Sequence, residues 1–176
     1  MEIPGLGPVT ADADSGEHVS PPLPVPVLGG ARCRFVVLGY GDDHAEADFE
    51  TAVRTFLELD ESALRAASAP VFQYYLDVRA ALGDDAVPVT VTDPDDVWSH
   101  VRPGDEVTVQ REDAHGDRQV YVSVECECAW EPEHGLQLVF RRGESVTKAG
   151  SFDGHLTNAA AFDRPDLADT VYHRSG

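Results

Sequence analysis

The clearest signal in the chain is a stretch in which apolar and polar positions alternate. Val120, Val122, Val124, Cys126, Cys128 and Trp130 fall on one side, and Tyr121, Ser123, Glu125, Glu127 and Ala129 on the other. Such period-two alternation predicts a β-strand with one buried face. Shorter runs of the same kind flank it, at Val107 and Val109 and at Leu136, Leu138 and Phe140. Turn formers separate the runs: Arg102-Pro103-Gly104-Asp105, Ala114-His115-Gly116-Asp117, Glu131 to Gly135, and Arg142-Gly143-Glu144. The last third therefore reads as an antiparallel meander.

Upstream the period changes. Phe49, Ala52, Val53, Phe56 and Leu57 recur at helical spacing from Ala45 onward. Asp60 or Ser62 caps a second helical piece holding Leu64 and Ala67, and Pro70 sits in the first turn of a third. Val71, Phe72, Tyr75, Leu76, Arg79 and Leu82 follow, and Gly83 ends that helix. Thr92 or Asp93 before Pro94 starts a short helix carrying Val97, Trp98 and Val101.

The first third is extended. Gly7 to Ala11 and Glu17 to Ser20 are short strands, and Pro22 to Leu28 is a third. Its prolines at 22, 24 and 26 remove N–H donors from one edge only, which fits a strand at the border of a sheet. Gly29-Gly30 turns the chain into Cys33 to Leu38. Strands, then helices, then strands predict an α+β fold: an antiparallel β-meander with two to four helices packed on one face. The length of 176 residues fits a single domain over 1–176, with 1–5 and 164–176 expected to fray.

Charge narrows the function. Thirty-two acids against thirteen bases give −19, which repels nucleic-acid backbones and argues against binding them. Three uses of such a surface remain: solubility, capture of a basic protein partner, and cation binding. No apolar run approaches the ~18 residues of a membrane span, and Met1 to Gly5 lacks a signal-peptide pattern, so the expected location is the cytoplasm. Cys33, Cys126 and Cys128 read as reduced, buried thiols, because zinc would need two further ligands on a face filled by valines and Trp130. No cofactor is expected.

Two motifs fail on inspection. Gly39-Tyr40-Gly41-Asp42-Asp43-His44 lies between a strand and a helix like a dinucleotide loop. But His44 replaces the third glycine, and two carboxylates would face the pyrophosphate. Asp12 to Gly16 begins like a calcium loop, yet Leu23 stands where the bidentate acid belongs.

One cluster survives. Trp130, Glu131, Glu133 and His134 lie in one turn segment, and Asp153, His155 and Asn158 in another. At one end of adjoining strands, Glu133, His134, Asp153 and His155 would offer metal ligands or an acid–base pair. The alternative is structural: Pro132, Gly135 and Gly154 fix the turns while Asp153 and Asn158 bond to local backbone. No Gly-x-Ser-x-Gly, His-Glu-x-x-His or P-loop pattern occurs, so a non-enzymatic role is expected. The segments Cys128 to Leu136 and Asp153 to Asn158 resemble a bacterial domain family of unknown function, with a W-E-x-E-H-G-L turn and a D-G-x-L-T-N ending. The resemblance implies a fold unit and a toxin-immunity or regulatory setting, and it carries no mechanism. The sequence thus leads to an acidic binding or immunity-type protein for a basic partner, with a metal-dependent enzyme or metal sensor as the alternative.

Overall fold

A computed structural model describes residues 1–12, 15–83, 85–112 and 117–174. Parts of three predicted segments, at 12–16, 84–85 and 114–117, lie outside the described residues. The fold is α+β. Strands β1 (Glu2–Ile3) and β2 (Gly7–Pro8) form a small ribbon. The main sheet contains β3 (Thr10–Ala11), β4 (His18–Val19), β5 (Leu23–Val25), β6 (Ala31–Val37), β7 (Val101–Arg111), β8 (Val120–Cys128), β9 (Leu136–Arg141) and β10 (Ser145–Gly150). Its order is β10-β9-β8-β7-β6-β4-β3, with β5 also on β6. Helices α1 (Glu46–Glu58), α2 (Ser62–Arg65) and α3 (Ser68–Leu82) separate β6 from β7, and α4 (Asn158–Phe162) follows β10. Among the described residues no helix is long and apolar enough to cross a membrane.

Several helical segments start where an acid side chain meets the first N–H groups. Asp43 Oδ1 accepts from the Ala45 N–H at 2.7 Å just before α1, and Glu46 and Asp48 sit in its first turn, where the helix dipole favours negative charge. Phe49, Ala52, Val53 and Phe56 then bury one stripe. Asp60 accepts from the Ser62 N–H ahead of α2, and Asp93 accepts from the Asp95 N–H at the start of a 3₁₀ segment, Pro94–His100. The apolar side of the sheet meets these helices in one core. Phe35, Val37, Val107, Val109, Val122, Val124, Leu138 and Phe140 face Phe49, Phe56, Val71 and Tyr75. Trp130 packs edge-on against Tyr74 and Tyr75 at 6.1 and 5.9 Å between centroids.

The meander covers β7 to β10 only. β6 and β7 run parallel, in the register Phe35 with Val107 and Val37 with Val109. The chain crosses over through three helices between them, and such a crossover returns the strand in the same direction. Arg102-Pro103-Gly104-Asp105 is not a turn. It lies within β7, which begins at Val101. The register there moves from Pro103 opposite Cys126 to Val107 opposite Val124, a bulge that accommodates the extra residues. The proline-rich strand stops at Val25, because Pro26 opens a 3₁₀ turn, Pro26–Leu28.

The strand β8 is not half-buried throughout. Tyr121 and Ser123 on its outer side are buried, because Leu156 packs on Tyr121 and Val139 there. Only Glu125 and Glu127 on that side reach solvent. The ends expected to fray carry packed side chains. Ile3 is fully buried, Leu167 is buried, and the Tyr172 hydroxyl donates to Asp77 Oδ2 at 3.0 Å. The backbone between them is tied to β10 as well, with Ala149 N–H donating to Val171 O at 2.7 Å.

Candidate functional site

The two turn clusters end up beside each other but face different ways. The first turn is closed by Gly135 N–H donating to Glu131 O at 3.0 Å. Gly135 has φ +62°, and a Cβ there would run into the Cys126 carbonyl, so the turn requires glycine. The Glu131 carboxylate accepts from the N–H groups of Glu133 and His134 at 3.2 and 2.7 Å. His134 Nδ1 lies 3.2 Å from Glu131 Oε2. One ligand atom each from Glu131, Glu133 and His134 fall within 4.8 Å of one another.

The second turn touches the first through backbone, with Phe152 N–H donating to His134 O at 3.3 Å. Its side chains turn away. Asp153 Oδ1 accepts from Lys148 Nζ at 2.7 Å and from the His155 N–H at 2.8 Å. His155 Nδ1 stays within 3.4 Å of that same oxygen. The four ligands anticipated together therefore split: Glu133 and His134 gather with Glu131, while Asp153 and His155 gather on Lys148. The physical reason is the buried ammonium, which draws Asp153 toward β10. Trp130 and Asn158 are buried. Asn158 Nδ2 donates to Thr170 O and Val171 O at 2.6 and 3.2 Å, clasping the C-terminal segment.

Lys148 was not singled out by the sequence. It is the chain's single lysine, and its side chain is 2% exposed. Nζ also donates to Gln137 Oε1 at 2.8 Å, and Gln137 Nε2 to Ser123 Oγ at 3.1 Å. A polar row thus crosses β10, β9 and β8 on the same face as Tyr121 and Val139 and beside them. Burial pushes the Lys148 pKa down, and the Asp153 carboxylate opposes that shift. The sequence carried a faint signal, a lysine isolated among acids, but β10 showed no alternation to place it on the covered side.

A second feature escaped the sequence entirely. A cavity of about 380 Å³ opens between α2, the Pro26–Leu28 turn and the Pro94–His100 segment. Cys126 and Leu138 form its floor, and both belong to the core. Val27, Leu28, Leu64 and Trp98 form walls. Glu61, Arg65 and Asp95 also line it, and all three are exposed. Burial raises the thiols of Cys126 and Cys128 to about 12, which keeps them neutral and poorly nucleophilic. The cavity is therefore a recess of mixed lining, with apolar side chains in its interior and charged ones at its rim.

A family model described as a domain of unknown function (DUF6985) matches residues 5–156. The chain belongs to that family. No curated protein and no solved structure matches it. The DUF6985 span takes in the whole cavity and both turns through His155, and it ends just before the Asn158 clasp.

Proposed function

We propose that this DUF6985 protein is a non-enzymatic binding protein of immunity type, which holds a basic protein partner through its acidic surface. One observation carries the reading: among the described residues at least seven of the thirteen bases are ion-paired to acids of the same molecule, while many acids are left outward. Arg111 pairs with Asp43 and Asp48, Arg141 with Asp117 and Asp169, Arg142 with Glu144, and Lys148 with Asp153. Glu58, Glu61, Asp95, Asp96 and Glu127 are exposed, and their side chains enter no hydrogen bond or ion pair among the described residues. A field of that sign speeds encounter with a cationic partner and disfavours anionic ones.

The test is retention on the immobilised protein from a lysate of the cells that make it. A discrete basic protein held at about 50 mM salt and released at about 500 mM supports the reading. An empty low-salt eluate sinks it. The metal reading keeps one supporting observation, the grouping of Glu131, Glu133 and His134. Its weakness is that both Glu131 oxygens already serve backbone amides. Stoichiometric zinc or manganese in the purified protein, lost in His134→Ala, would put that reading first.

A further inference from the structure

We propose that the recess between α2 and the Pro94–His100 segment receives an apolar side chain of the basic partner, with Glu61 and Asp95 taking the cationic residues that flank it. This rests on the reading of the protein as a binder of basic partners, and it names the place and the chemistry of the contact.

The recess suits an anchor residue. About 380 Å³ lies at the small end of ligand sites, room for one aromatic or branched side chain and its backbone. Its side chains below the rim are apolar apart from the neutral Cys126 thiol. They would desolvate an inserted ring while offering no charged group to orient a polar ligand. One wall is fixed in advance, because Trp98 Nε1 donates to Ser68 Oγ at 2.9 Å. A preformed pocket that takes one anchor side chain is where binding energy concentrates at protein interfaces.

The rim specifies the sign of the partner. Glu61, Arg65 and Asp95 have no side-chain partner among the described residues. Arg65 follows Glu61 by one helical turn and yet pairs with neither acid, so both carboxylates stand free for an incoming cation. The rim holds two acids against one base on a molecule of net charge −19. A second copy of this chain would bring the same charge and be repelled, and so would an anionic membrane. A cationic segment with an apolar residue at its centre satisfies floor and rim together.

The experiment titrates the full chain with the peptide acetyl-Lys-Arg-Phe-Arg-Lys-amide at low salt, read by calorimetry and by the emission of Trp98. Trp130 is buried away from the recess. Replacing the peptide's Phe with Ala is expected to weaken binding roughly tenfold or more. Glu61→Gln with Asp95→Gln should weaken it about fivefold or more. Glu2→Gln with Glu125→Gln removes the same charge at exposed positions that do not line the recess and should leave binding within about twofold.

Equal binding of the Phe and Ala peptides, or equal weakening by the two double variants, overturns the anchor and leaves the acidic-surface reading standing. Equal binding of a peptide with glutamates in place of its cations overturns both. Absence of binding by every peptide also overturns the anchor, and the affinity retention then decides the broader reading separately.

Discussion

Lys148 places an ammonium group where water scarcely reaches, and its neighbours make that tolerable. Removing Asp153 as Asp153→Ala is expected to destabilise the fold by about 2 kcal/mol, less than a fully enclosed pair because Asp153 is 38% exposed. Lys148→Met should fall within about 1 kcal/mol of the parent, and the double variant should recover most of the Asp153→Ala loss. Urea unfolding of the four proteins completes the cycle, and an Asp153→Ala protein as stable as the parent would refute it. Arg111 makes the opposite case, a guanidinium near the surface that ties a loop to a helix. It bonds to Asp43 at 2.6 and 3.0 Å and to Asp48 at 2.9 Å, and its charge lies 5.4 Å from the centre of the Phe49 ring. The Arg111 hydrogen bond holds the Asp43 carboxyl below its ordinary 3.8. A depressed carboxyl contributes stability above its unfolded pKa and loses it as pH falls through the folded one. Arg111→Met should therefore cost about 2 kcal/mol at neutral pH, and the gap to the parent should close on acidification below about pH 4. Melting curves from pH 7 to pH 2 check this, and a gap that persists at pH 2 contradicts it.

At the scale of elements, glycines decide how closely the hairpins approach the helices. Gly143 turns β9 into β10 at φ +71°, and a Cβ there would strike the Ala52 carbonyl and the Phe56 amide of α1. Gly154 has φ +77° with nothing within 4 Å of the same position. Gly154→Ala should thus cost only the left-handed strain, about 1 kcal/mol, while Gly143→Ala should cost at least ~3 kcal/mol as α1 is pushed off the sheet. Comparable melting temperatures for the two would show that the contact is unimportant. The elements that sequence alone revealed are those with one dominant period. The alternation at Val120 to Cys128 and the helical spacing at Phe49, Val53 and Phe56 placed β8 and α1 almost to the residue. Pairing was not legible, since nothing local at Phe35 or Val107 distinguishes a parallel neighbour from an antiparallel one. The Arg102-Pro103-Gly104-Asp105 bulge carries turn residues and is held in β7 only by the strand beside it. The candidate site was legible as two turns. That Lys148 would draw Asp153 from the first turn depends on its burial beside Gln137, which no local pattern in β10 announces.

The molecule as a whole is held together against its own charge. With −19 on one compact body, mutual repulsion of the carboxylates opposes folding, and added salt screens it. The melting temperature is expected to rise by several degrees between about 10 and 300 mM sodium chloride, a range over which the Debye length shortens severalfold. A melting temperature that stays flat or falls would mean that the acids are already dispersed enough not to interact. The C-terminal segment is held to β10 by the Asn158 bonds and by Ala149 N–H donating to Val171 O, and its release would open the side of the sheet that carries Lys148. The position of Lys148 also makes this opening directly visible. No other ε-amine exists in the chain, so an acylating reagent that tags amines will leave the side chains of the closed protein untouched and mark only the terminal amine. A second tag, counted by mass, would record each time the clasp of Asn158 and the cover over β10 had come away.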